Sequence, residues 1–226
     1  MLCKSLLLNL IMVFSDLFFL FVFIPVFALC YLLASIIDRK LLSNHNHHSC
    51  LSKNIIIVIF SLIFYGWGEP IYVFLMIICV FLNYLSGLGI DRFKGKSRKT
   101  ALVLGLICNI AILGIFKYAG FFAQTLSDIG IPMSIPKISL PIGISFYIFQ
   151  SISYLVDVYR HESPAQHHFG NLLLYISMFP QLVAGPIVRY DTIAREISDR
   201  KVSLSDVSDG IYRFLIGLGK KVIIAN

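Results

Sequence analysis

The chain has 226 residues, 58% of them hydrophobic and only 14% charged, whereas soluble domains carry roughly 25% charge. With a mean hydropathy of +0.83, its polar residues are too few to cover a water-soluble fold, which excludes that class. The net charge of +7 comes from Lys and Arg in short stretches beside apolar runs, so it sets membrane topology and implies no nucleic-acid partner.

Runs near the roughly 20 apolar residues that cross a hydrocarbon core predict an all-α, polytopic transmembrane protein with re-entrant or broken helices, built as one membrane domain. Spans are expected over residues 6–37, 55–67, 71–90, 101–123 and 140–158, with a re-entrant segment at 172–188 and a partial helix at 211–226. Lys4 and the run after it imitate a secretory signal. The apolar stretch continues past Asp16 to Leu33 without an A-x-A site, and Leu29 is too bulky for a lipoprotein-type site before Cys30. The segment is therefore expected to remain as the first membrane helix, with Met12 as an alternative start. The second run stops at Gly66-Trp67-Gly68-Glu69-Pro70, where Gly and Pro break the helix in a tight turn.

Two basic loops are expected on the cytoplasmic side: 38–53, with Arg39, Lys40 and Lys53, and 91–100, with Arg92, Lys94, Lys96, Arg98 and Lys99. The N-terminus and the loop 125–139 then lie outside, and 140–158 returns inward to Arg160. If 172–188 also crossed, Arg189, Arg195, Arg200 and Lys201 would fall outside. Pro180, Gly185 and Pro186 interrupt that run, and broken backbone at membrane depth needs protein or a water-filled cavity to satisfy it. A re-entrant or surface-lying segment resolves the conflict.

Asp157 and Lys117 end apolar runs, where an ionisable side chain either serves function or snorkels to the interface; Lys220 and Lys221 mark an interface. The six histidines form two loop groups, His45, His47 and His48, then His161, His167 and His168. Their spacing is too loose to predict a metal site. The five cysteines (Cys3, Cys30, Cys50, Cys79, Cys108) lack C-x-x-C spacing and lie mostly in or beside apolar runs, which implies no disulfide framework. Gly143-Ile144-Ser145-Phe146-Tyr147 lacks the second Gly of a nucleophile elbow.

Two segments have the character of motifs. One runs Leu140-Pro141-Ile142-Gly143-Ile144-Ser145-Phe146-Tyr147-Ile148-Phe149-Gln150 and on to Asp157-Val158-Tyr159-Arg160; the other is Phe179-Pro180-Gln181-Leu182-Val183-Ala184-Gly185-Pro186-Ile187-Val188-Arg189-Tyr190. With Trp67-Gly68-Glu69-Pro70, Asn83-Tyr84, Phe116-Lys117-Tyr118 and the ending Gly219-Lys220-Lys221, they resemble the membrane-bound O-acyltransferase family, most of all the bacterial branch that acetylates exopolysaccharides such as alginate. The resemblance implies a tunnel through a multi-helix membrane core. An acyl group would pass from a thioester donor such as acetyl-CoA to a hydroxyl of a polysaccharide acceptor, with no bound cofactor. It also implies residence in the bacterial cytoplasmic (inner) membrane, contact with lipid, and extracytoplasmic acetyl-transfer partner proteins. Gln150, Asp157, Arg160, Pro180, Gln181, Gly185, Pro186, Arg189 and Lys117 become the motif and tunnel candidates. The catalytic His of the family has no counterpart here, because none of the six histidines lies inside an apolar run; it is expected beyond Asn226, so this front half alone should be inactive. Two other readings stay open: D-alanyl transfer to teichoic acid by a related enzyme, and a transporter whose solute path is lined by Lys117 and Asp157.

Overall fold

A computed structural model describes residues 16–42, 50–129, 139–182, 188–200 and 202–224, without the side chains of 39–42, 122–124 and 126–127. Helices form the regular structure of these residues, and no strand occurs among them. A π-helical turn, Phe19–Phe23, leads into α1 (Ile24–Leu42). Pro25 lacks an N–H and would clash with the carbonyl four residues back, and the wider turn relieves this. Next come α2 (Leu51–Gly68), α3 (Tyr72–Arg92) and α4 (Gly95–Asp128). Four stretches, Phe19–Asp38, Leu51–Gly68, Tyr72–Arg92 and Gly95–Phe121, are long and apolar enough to cross a membrane. This is a multi-pass, all-α membrane protein.

The remaining elements are shorter: α5 (Ile144–Tyr159), α6 (Phe169–Ser177), α7 (Phe179–Leu182), α8 (Tyr190–Ser198) and α9 (Leu204–Gly219), the last followed by a π turn over Lys220–Ile224. Several edges differ from expectation. α2 begins at Leu51 and α9 at Leu204, each earlier than its apolar run. The expected loop 91–100 shrinks to Phe93 and Lys94, because Lys96, Arg98 and Lys99 form the first turns of α4. Lys and Arg are good helix formers, and Gly95 turns the corner at φ +59°. α5 starts only at Ile144, after the turn around Pro141 and Gly143, and its 16 residues extend about 24 Å.

The chain divides into two compact units, Met1–Ile56 with Arg195–Asn226, and Ile57–Ala194. In the second, α3, α4 and α5 pack on one another, and α6 packs on α3 and α5. The buried stripe of α3 is Met76, Cys79, Val80, Asn83, Gly87 and Ile90. Small residues bring the backbones close, as membrane helix packing requires: a Cβ on Gly87 would stand 2.7 Å from the Tyr154 hydroxyl, and one on Gly105 2.7 Å from Leu155 Cδ1. Asn83 and Asn109 exchange amide hydrogen bonds between α3 and α4, at 3.1 and 2.7 Å, and each also donates to the carbonyl four residues back.

In the first unit, Asp38 accepts the N–H groups of Ser52 and Lys53, meeting two orphan donors at the start of α2. Ser203 and Asp206 form a capping box on α9, and the Ser203 bonds hold the Asp206 carboxyl below its ordinary range. The Asn pair predicts a coupled loss: Asn83→Leu or Asn109→Leu should each destabilise by about 1–2 kcal/mol in detergent unfolding. The double replacement should cost less than the sum of the two.

Candidate functional site

One exchanged hydrogen bond makes the break between α6 and α7. In a continuous helix the Phe179 N–H would donate to the Tyr175 carbonyl. Pro180 has no N–H, and its ring would press on the Ile176 carbonyl, so the chain leaves helical geometry at Met178 (φ −51°, ψ 115°). The Phe179 N–H donates instead to Ser61 Oγ of α2 at 3.2 Å. The Tyr175 carbonyl accepts from Gln150 Nε2 of α5 at 3.1 Å and from Gln181 Nε2 of α7. Side chains thus meet both halves of the lost backbone bond, as buried peptide groups demand. Pro180 falls in the first turn of α7, where a missing N–H costs nothing.

The two motif segments meet here. Gly143 sits at φ +77°, and a Cβ on it would stand 2.9 Å from the Leu182 carbonyl oxygen, so both the turn and the close approach of α7 need glycine.

From this contact a polar seam runs along the buried face of α5. Tyr147, Gln150, Ser151, Tyr154 and Asp157 are all buried and recur at helical spacing over about 15 Å. Tyr154 accepts the Gln166 N–H at 3.0 Å, and Gln166 Nε2 donates to the Tyr190 hydroxyl at 2.6 Å. The Tyr190 ring stands edge-on to Tyr154 and Tyr175, with centroids 5.2 and 5.1 Å apart. Tyr175 donates its hydroxyl to the Val188 carbonyl at 2.8 Å. Among the described residues, the buried atoms Tyr65 Oη, Tyr147 Oη, Ser177 Oγ and Asp157 Oδ2 have no hydrogen-bond partner. Such atoms carry a desolvation cost until water, an ion or a substrate meets them.

Charges stand at the two ends of the seam. At the Asp157 end, Glu162 lies 3.7 Å from both Arg160 and Arg189. Arg98 donates to the last carbonyls of α5, at 3.2 Å to Val158 and 2.7 Å to Tyr159, and contacts His161 Nε2, so a cation caps the negative end of the helix dipole. At the other end burial pushes the Glu69 carboxyl up, opposed by a hydrogen bond from the Ile142 backbone.

Of the residues singled out by sequence, Gln150, Pro180 and Gln181 build the break, Asp157 ends the seam, and Arg160 and Arg189 form its rim. Gly185 and Pro186 lie outside the described residues. Lys117 is exposed, with its ammonium 5.6 Å from the Tyr118 ring centroid. It lies 19 residues along α4 from Arg98, about 28 Å of helix. Lys117 is thus well separated along α4 from the Asp157 end of the seam. His45, His47 and His48 lie outside the described residues. His161 meets Arg98, and His167 lies 3.7 Å from Asp91. Sequence reasoning missed Ser61, Tyr147, Tyr154, Tyr175 and Tyr190 as site residues. The spacing Tyr147, Gln150, Tyr154, Asp157 inside an apolar run was the available signal.

A multi-pass helical membrane protein with a broken helix and a buried polar seam is the class these features define. The chain is 36% identical over 222 residues to a Pseudomonas aeruginosa protein named probable alginate O-acetylase AlgI, covering 95% of this chain and 40% of that one. An Azotobacter vinelandii protein of the same name is 35% identical, over 95% of this chain and 42% of its own length. A Helicobacter pylori protein named peptidoglycan O-acetyltransferase is 29% identical, over 96% and 45%. No family model and no solved structure matches. The chain thus spans about two fifths of the length of the curated relatives it matches. Nearly the whole chain thus aligns with proteins named probable alginate O-acetylase or peptidoglycan O-acetyltransferase.

Two stability outcomes follow from the break. Gln150→Leu or Gln181→Leu alone should change stability little, because the other amide still serves the Tyr175 carbonyl. The double replacement should cost about 1–3 kcal/mol more than the sum, measured as a double-mutant cycle in detergent. Gly143→Ala should cost at least about 1–2 kcal/mol from its left-handed backbone alone, read in the same unfolding assay.

Proposed function

We propose that this chain belongs to an enzyme of the bacterial cytoplasmic membrane that moves an acetyl group from a thioester donor, such as acetyl-CoA, to a hydroxyl of an exported polysaccharide. The observation that carries this reading is the 36% identity, over 95% of the chain, with the Pseudomonas aeruginosa protein named probable alginate O-acetylase. The broken helix and the polar seam support it. Attack of a hydroxyl on a thioester carbonyl builds charge on the carbonyl oxygen, and fixed hydroxyls and amides in a low-dielectric interior are suited to stabilise it. On this reading the segment around Pro180 is re-entrant, and the seam borders the acyl tunnel. The general base is a His from the part of the relatives' length that this chain does not span, and extracytoplasmic proteins assist the transfer to the polymer. An acidic polysaccharide of the alginate type is the preferred acceptor. The Helicobacter pylori relative makes peptidoglycan the second.

The test is the ester-linked acetyl content of exported polysaccharide and of peptidoglycan, from cells lacking the protein and from cells carrying it back. Loss and recovery in the exported polysaccharide is the expected result. Loss confined to peptidoglycan moves the acceptor, and no change in either overturns the proposal. In complemented cells Asp157→Asn should lower acetylation about tenfold or more, equivalent to about 1.4 kcal/mol, at unchanged protein level in the membrane.

A further inference from the structure

Within the unit Ile57–Ala194, two buried phenols go unused by the helix break and by the hydrogen bonds of the seam. Tyr65 of α2 and Tyr147 of α5 are 4% and 0% exposed, and among the described residues the hydroxyl of each lacks a hydrogen-bond partner. Tyr65 comes one turn after Ser61, and Tyr147 one turn before Gln150. The faces of α2 and α5 that serve the break therefore also carry the two hydroxyls.

The Ile142 N–H donates to Glu69, which ties the end of α2 to the turn that opens α5. Tyr65 and Tyr147 lie within electrostatic reach of each other, and both of Cys79 on the buried stripe of α3. Cys79 stands about 10 Å along α3 from its start at Tyr72, so the pair sits inside the bundle rather than at its mouth. A phenol is a good O–H donor, and an unmet buried hydroxyl keeps its desolvation cost until a partner arrives. Two such donors from two helices match one oxygen with two lone pairs. The charged group facing Tyr65 is Glu69, which disfavours a phosphate or a free carboxylate there and favours a neutral carbonyl.

We propose that Tyr65 and Tyr147 hold the carbonyl oxygen of the acyl group by two hydrogen bonds during its transfer, an inference that rests on the acyl-transfer reading above. In that step the acceptor hydroxyl oxygen forms a C–O bond to the carbonyl carbon and gives its proton to the general base. The C–S bond breaks, and the proton passes to the leaving thiolate. Both phenols keep their protons throughout, and their hydrogen bonds strengthen as charge gathers on the carbonyl oxygen.

The experiment uses cells lacking the protein, complemented with it or with Tyr65→Phe, Tyr147→Phe or both. Ester-linked acetyl on exported polysaccharide and on peptidoglycan is measured against protein level in the membrane, and Tm on each purified protein in detergent. Each single replacement should lower acetylation about tenfold to a hundredfold, while Tm stays level or rises because the lost hydroxyl had no partner. Tyr154→Phe removes a hydroxyl that holds the Gln166 N–H and should lower Tm. Undiminished acetylation in either Tyr65→Phe or Tyr147→Phe overturns the proposal. A Tm that falls as far in these two as in Tyr154→Phe makes the hydroxyls structural and overturns it as well, as does failure of either variant to reach the membrane. If the unmodified protein restores no acetyl, the acyl-transfer reading itself fails and takes this inference with it. If the unmodified protein and the phenol variants restore acetyl equally, only the role of the pair falls.

Discussion

The hydrogen bond that Phe179 and Tyr175 do not make organises the larger unit. Within an apolar medium each peptide group must find a partner inside the protein, and Pro180 removes the local solution. The donor is answered by Ser61 and the acceptor by Gln150 and Gln181, so one proline fixes the mutual positions of α2, α5, α6 and α7. The rest of the seam follows from the same register. Once Gln150 is aimed at Tyr175, its i−3 and i+4 neighbours Tyr147 and Tyr154 occupy the same buried face, Ser151 follows four residues after Tyr147, and Asp157 ends the seam one turn later.

Helix association here cannot lean on the hydrophobic effect, since lipid is as apolar as the helix surfaces. The structure uses close approach instead. Gly87 receives Tyr154, Gly105 receives Leu155, and the Asn83 and Asn109 amides pair across the interface. These contacts lock α3, α4 and α5 around the seam, and tie the packing of the membrane helices to the placement of a polar interior.

Much of this was legible in the sequence. Apolar runs gave the membrane class and the approximate spans, because a helix must match hydrocarbon thickness. Pro180 marked the break, because a proline leaves a carbonyl and a donor to be served elsewhere. The partner that serves the donor was not legible: Ser61 lies 118 residues away, and a lone Ser in an apolar run carries no pairing signal. Arg98 was legible as a positive charge near a membrane end but not as a helix cap, since that role depends on where α5 stops. The exposure of Lys117 was not legible, because an ionisable residue at a run's end looks alike whether it lines a cavity or faces outward. Tyr147, Tyr154 and Tyr175 were hidden by their rings, which count as apolar until burial of the hydroxyl is seen.

The double service to the Tyr175 carbonyl has one more effect. Two amides share an acceptor with two lone pairs, one from a long helix that is part of the packed core and one from a four-residue helix. Either can let go while the other keeps the peptide group bonded. Gln181 can therefore swing away by a side-chain rotation without leaving the Tyr175 carbonyl unsatisfied. Redundancy at this one carbonyl keeps the break intact through the loss of either amide.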